Sequence, residues 1–190
     1  MKYAIDLGHN APPDTGAMGG FEDELNQALG SQVAAGLISL NEDVVMVNPR
    51  KVSSVRESLR SRCRTANFAN VDRFVSFHFN AFNGIAKGAE VFYVSKAGYK
   101  MALPVVNEIC NLRNGRGEKF FKRGAKRSSH YYVLNETDAP AILIETCFCD
   151  NPDDMNIYDS LGVNAVASAI VKGLTGKHPT LEDQPSLYIN

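Results

Sequence analysis

The chain has 190 residues, enough for one domain with a sizeable buried core. Apolar residues make up 44%, charged residues 22%, and the net charge is −1, which gives no basic excess of the kind nucleic-acid binding calls for. Four cysteines in a chain of this length make no disulfide framework, and only Cys147 and Cys149 lie close together, so reduced thiols are expected.

The opening Met1-Lys2-Tyr3-Ala4-Ile5-Asp6 is too short an apolar stretch for a signal peptide, and no small-residue cleavage site follows. No run approaches the roughly 20 apolar residues of a membrane helix. The expectation is a product made in the cytoplasm, or a mature fragment of a secreted protein that has lost its leader.

Tyr3 to Leu7 reads as a short buried strand, and residues 10–20, with two prolines and three glycines, read as a loop. Leu25, Leu29, Val33, Leu37 and Leu40 then recur at helical spacing. Asp43 to Val47 is a second strand. Val55, Leu59, Cys63, Ala66 and Ala69 mark a second helix, with Arg56, Arg60 and Arg64 on its other face. Phe74 to Phe79 and Ala89 to Val94 are strands, followed by a helix over 99–112. Residues 113–127 are expected to be irregular and basic, with seven Lys/Arg against one Glu. Tyr131 to Leu134 and Ala141 to Glu145 read as two more strands, and Val163, Val166, Ile170 and Leu174 as a closing helix. The expected domain covers residues 1–176, with 177–190 a loose tail. Strands alternating with helices predict an α/β fold whose sheet carries helices on both faces.

Three short segments carry chemistry: Asp6-Leu7-Gly8-His9-Asn10, Glu22, and Ser76-Phe77-His78-Phe79-Asn80. Both histidines end strand-like runs, and in an open α/β sheet the carboxyl ends of the strands face a crevice. Two imidazoles and one carboxylate leave a tetrahedral zinc with one open position, which suits a catalytic metal. In the third strand Val75, Phe77 and Phe79 share one face, and Ser76, His78 and Asn80 the other. A polar row on a strand covered by helices needs a reason; the plainer alternative is an edge strand with a wet face. Acidic residues favour helix N-termini, which alone would explain Glu22-Asp23-Glu24. Glu22, however, shares a face with Leu25 and Leu29 and points toward the sheet, with Asn26 one turn on as a possible support for its carboxylate. Glu145 ends the apolar run Ala141 to Ile144, where burial would raise its pKa as a general base or acid requires. The alternative is a carboxylate paired with an arginine.

Together, D-x-G-H with His9, Glu22 followed by Asn26, Ser76-x-His78-x-Asn80, and Ile144-Glu145 near Asp150-Asn151 resemble, in order and spacing, the zinc-dependent N-acetylmuramoyl-L-alanine amidases of the amidase-3 type. The stretch from Arg123-Gly124-Ala125-Lys126 through Tyr132-Val133-Leu134-Asn135 to Asp150-Asn151 is similar to the clostridial phage endolysin branch. The resemblance covers about residues 2–175. It implies a twisted, mostly parallel sheet of about six strands flanked by helices, of phosphorylase/hydrolase-like type. It also implies Zn2+ held by His9, Glu22 and His78, with Glu145 as the catalytic glutamate and Asn26, Ser76 and Asn80 as supporting or substrate-contacting residues. The implied substrate is peptidoglycan, cut between N-acetylmuramic acid and L-alanine. Asn10 stands where the family loop often has a second glycine, and no inserted regulatory helix or leader is seen, which fits a lysin-like catalytic domain acting on the cell wall.

Cys147 and Cys149 follow Glu145 at period two and could lie near a metal, although packed thiols are the simpler expectation. His130 and His178 are expected at the surface, His130 within possible reach of the cleft. The basic stretch from Arg113 to Arg127 reads as a solvated face or a holder of stem-peptide carboxylates or anionic wall polymers. Glu90 is expected in a structural or rim role. The chain is expected to act as a monomer, without nucleic acid and without a membrane segment. The competing activity is another zinc peptidoglycan hydrolase, metallocarboxypeptidase- or endopeptidase-like.

Overall fold

The computed structural model describes residues 1–179. In chain order the elements are β1 (Lys2–Leu7), α1 (Phe21–Ser39), β2 (Asp43–Met46), α2 (Val55–Phe68), β3 (Arg73–Asn80), β4 (Ala89–Tyr93), α3 (Lys96–Asn111), β5 (Lys122–Arg127), α4 (Tyr132–Asn135), β6 (Ala141–Phe148), α5 (Pro152–Leu161) and α6 (Val163–Thr175). The strands form one sheet in the order β2-β1-β3-β6-β4-β5. β2, β1, β3 and β6 run parallel to one another; β4 is antiparallel to β6, and β5 is parallel to β4. This is the expected mostly parallel α/β sheet.

Two layers of apolar side chains explain why the sheet is covered on both faces. Val75, Phe77 and Phe79 of β3 join Leu29 and Val33 of α1, Val105 of α3 and Ile170 of α6 in one core. On the other face Phe74, Ala141 and Leu143 pack with Cys63 and Ala66 of α2 and with Val133 and Leu134 of α4. Burying each large side chain contributes roughly 1.5–3 kcal/mol, so these two layers are the main favourable term in the fold. β3 is central, between β1 and β6, which rules out the edge-strand explanation of its polar row.

Local signals set the helix starts. Ser54 caps α2 by accepting from the Glu57 amide, and Glu57 in turn accepts from the Ser53 amide. Asn151 caps α5 by accepting from the Asp154 amide, with Pro152 at its first position.

Two expected elements change places. The run expected as a strand at Tyr131 to Leu134 leads into the short helix α4, and the edge strand β5 lies inside the basic stretch expected to be irregular. β5 pairs on one side only, so its sequence Lys-Arg-Gly-Ala-Lys-Arg is polar and half exposed and lacks apolar alternation. Val133 and Leu134 are buried by lying across a sheet face, a demand that a short apolar run meets equally well as helix or strand. Helix α5 was not anticipated. The tail expected from residue 177 falls mostly outside the described residues; within them, Pro179 is buried over Gly36 of α1.

Candidate metal centre

The carboxyl ends of β1 and β3 lie side by side, with Leu7 paired to Phe77, so His9 and His78 emerge together at the carboxyl end of these strands. Their rings stand 4.9 Å apart, nearly perpendicular. Gly8 makes this possible: a methyl group there would lie 2.4 Å from His78 Cε1 and Nε2 and 2.4 Å from the Phe77 carbonyl oxygen. His9 and Asn10 both take left-handed backbone conformations, at φ 57° and 53°. Asparagine tolerates that region best after glycine, which explains how Asn10 replaces the second glycine of the loop. Its side-chain amide donates to the carbonyls of Gly8, at 3.0 Å, and Asp23, at 2.9 Å.

Glu22 enters from the first turn of α1 and is buried. Its Oε1 lies 3.0 Å from His78 Nδ1 and 3.6 Å from His9 Nε2, and accepts from the Phe79 amide at 3.3 Å. Its Oε2 accepts from the Ala17 amide at 2.8 Å. One ligand atom from each of His9, Glu22 and His78 can be chosen so that all lie within 4.8 Å of one another. The three side chains expected to hold a metal are thus together and could bind one.

The electrostatics favour a cation at this point. Burial alone would raise the Glu22 carboxyl, but the hydrogen bond and charge of His78, the Ala17 amide and the charge of His9 outweigh it and hold it at about 2. Burial alone would lower the His9 imidazole, but its hydrogen bond to Asp14 and the charges of Glu22 and Asp14 raise it above its ordinary value. Glu22 is thereby held ionised, and an ionised carboxylate beside two imidazoles is a donor set in which a divalent cation can stand in for protons.

Glu145 projects from β6 directly beside His78, its partner across the parallel ladder. Burial, and then the charges of Glu22 and Glu90, push its carboxyl well above the usual carboxylate range. Its Oε2 is buried without a hydrogen-bond partner among the described residues. A buried acceptor left open is costly unless something else meets it. Glu145 lines a cleft of about 440 Å³ together with His9, Glu22, His78, Tyr131 and Tyr132. A buried carboxyl with a raised pKa, lining the same cleft as three side chains that could bind a metal, can exchange a proton with a molecule bound in that cleft.

The supporting residues divide their work. Ser76 donates to Asp6 Oδ2 at 2.7 Å, tying β3 to β1 below the histidines. Asn80 donates to Glu90 Oε1 at 3.1 Å; Glu90 is buried opposite Glu145 on β4 and is paired with Arg123 and Lys126. The C-terminal end of the basic stretch therefore balances a buried carboxylate. Asn26 donates to the Gly8 carbonyl at 3.1 Å, supporting the exit of β1 instead of the Glu22 carboxylate. His130 is exposed and lines the cleft, and His178 is exposed.

Cys147 and Cys149 are buried in the core on the other face of the sheet. Between His78 and Asn80 the partner strand advances from Glu145 to Phe148, one residue more than β3, and this bulge turns Cys147 away from the Glu145 face. Two contributors escaped the sequence reading. Asp14, in the loop, holds His9 Nδ1 at 2.9 Å. Arg62, fully buried in α2, pairs with Asp6. Its spacing from Leu59 and Ala66 puts it on the apolar face of its helix, and that was the available signal.

The family model for N-acetylmuramoyl-L-alanine amidase (Amidase_3) matches residues 4–176. The chain belongs to this amidase family. An uncharacterized 38.4 kDa protein of Clostridium perfringens is 31% identical over 180 residues, covering 92% of this chain and 51% of its own length. N-acetylmuramoyl-L-alanine amidase CwlM of Bacillus licheniformis is 30% identical over 190 residues, covering 99% of this chain and 73% of its own. Among solved structures, the catalytic domain of the CD27L endolysin targeting Clostridia difficile superposes with a TM-score of 0.82 at 27% identity, covering 94% of this chain and 98% of that one. The chain thus spans about half the length of the Clostridium perfringens relative but almost all of the solved endolysin catalytic domain.

Proposed function

We propose that the chain is a zinc-dependent hydrolase that cuts the amide between N-acetylmuramic acid and L-alanine in peptidoglycan, with residues 1–176 as the catalytic domain. One observation carries the reading: His9, Glu22 and His78 converge within metal-binding range, and Glu145, with one carboxylate oxygen left without a partner among the described residues, lines the same cleft. Family membership and the likeness to CwlM support the amidase activity, and the CD27L superposition supports the lysin-like setting. No described helix is long and apolar enough to cross a membrane. The substrate places the proposed work at the cell wall.

His9, Glu22 and His78 would hold the ion; two nitrogens and one carboxylate oxygen suit zinc and leave a position open to solvent. When bound, zinc supplies Lewis acidity, polarising a carbonyl and lowering the pKa of water from about 16 toward 7. Glu145 takes the proton of the attacking water as it adds to the lactyl carbonyl. It then delivers that proton to the nitrogen of L-alanine, which leaves as a free amine. Its burial suits it to hold the proton between these two steps. The stem peptide is released and the glycan strand stays whole. Digestion of purified peptidoglycan and mass analysis of the fragments test the bond assignment: new L-alanine amino groups identify an amidase, whereas cuts within the stem peptide identify an endopeptidase.

A further inference from the structure

We propose that Arg62 is a positioning residue of the metal centre, acting on His9 through the His9 carbonyl and through Asp14. The proposal rests on the reading of His9, Glu22 and His78 as metal ligands.

Arg62 is 1% exposed, and a buried cation survives only where its donors are met. Each of its three nitrogens has a partner. Nε donates to Ser58 Oγ at 3.0 Å, within α2. One terminal nitrogen donates to the carboxylate of Asp6 and, at 2.8 Å, to the carbonyl of Leu7, the last residue of β1. The other donates to the carbonyl of His9 itself and lies 3.6 Å from Asp14 Oδ2. The second oxygen of Asp14 meets His9 Nδ1 at 2.9 Å, which leaves His9 Nε2 turned toward Glu22. The second oxygen of Asp6 accepts from Ser76, two residues before His78. One guanidinium therefore fixes the backbone of one histidine ligand, the carboxylate that orients its ring, and the strand that carries the other.

The backbone argument points the same way. His9 adopts φ 57°, a conformation that a non-glycine residue keeps only when its surroundings enforce it. Arg62 holds the carbonyls on both sides of Gly8, at Leu7 and His9. A carboxylate that orients a ligating imidazole typically matters 10–100-fold to metal affinity or activity. A lysine cannot reproduce the planar fork.

The test is Co2+ titration of the metal-free full chain, read by visible absorption, beside thermal melting of the same metal-free samples. For Arg62→Lys the expected result is a folded protein whose Co2+ affinity is about 10–100-fold weaker, with an altered ligand-field spectrum. Leu37→Ala, a core change in the distal part of α1, serves as the stability control: it should melt earlier while keeping wild-type affinity and spectrum. Arg62→Lys with wild-type affinity and spectrum would overturn the proposal. Should Arg62→Lys not fold, Asp14→Asn stands in for it, with weakened Co2+ binding supporting the relay and unchanged binding overturning it. Failure of the unsubstituted chain to bind Co2+ at all would instead remove the metal-centre reading beneath it.

Discussion

His78 and Glu145 sit on the same rung of the central parallel ladder, one on β3 and one on β6, and project to the same face of the sheet. The pairing places the proposed metal ligand and the proposed proton carrier at a spacing fixed by backbone hydrogen bonds, without dependence on a loop. Glu145→Gln keeps the shape of the side chain and removes its ability to exchange a proton. The expected outcome is unchanged zinc content and a turnover lower by about 10²–10⁴-fold, measured on purified peptidoglycan. Wild-type turnover would remove Glu145 from the mechanism.

The same substitution should change stability with a definite sign in the metal-free protein. Burial first, and the Glu22 and Glu90 charges second, raise the folded-state pKa of Glu145 above its unfolded value. The folded state therefore holds the proton more tightly than the unfolded one, and stability falls as pH rises above the unfolded carboxylate value. Metal-free Glu145→Gln should melt at a higher temperature than wild type at neutral pH, with the gain shrinking as pH approaches 4. A gain that grew on acidification would contradict the burial argument.

Glu22 receives two amide hydrogen bonds and faces both imidazoles. Glu22→Ala should lose bound zinc by elemental analysis along with activity. Retention of one zinc per chain would move the ligand role to another group.

Gly8 packs against the His78 ring with no room for a methyl. Gly8→Ala is expected to cost about 1–3 kcal/mol of stability as an overpacked site. It should also weaken metal binding, because the nearest atoms to give way belong to His78, a proposed ligand. A melting curve and a metal titration of one sample check both, and a tolerated alanine with wild-type affinity would show that the His78 ring does not need this packing.

The parts of the fold that bury apolar surface were legible in the sequence, because burial writes a period: the central strands and α1, α2 and α6 could be placed from it. β5 was not, since an edge strand can be polar throughout, and α4 was mistaken for a strand because four residues are too few to show a period. Within the site, His9, Glu22, His78 and Glu145 stood out because each interrupts an apolar pattern at the end of an element. Asp14 lay hidden in a loop without periodicity. Arg62 lies mid-helix rather than at the end of an element, and its one signal is its place on the apolar face of α2 between Leu59 and Ala66. Cys147 and Cys149 are packed thiols, as expected, but one extra residue in β6, which no sequence period marks, reverses which face Cys147 occupies.

The most direct test of the central claim is digestion of purified peptidoglycan by the metal-free chain, by the chain restored with zinc, and by the chain with chelator, followed by mass analysis. The account predicts intact glycan strands and free stem peptides beginning with an L-alanine amino group, only when zinc is restored. Equal release in chelator, or fragments cut elsewhere, would contradict it.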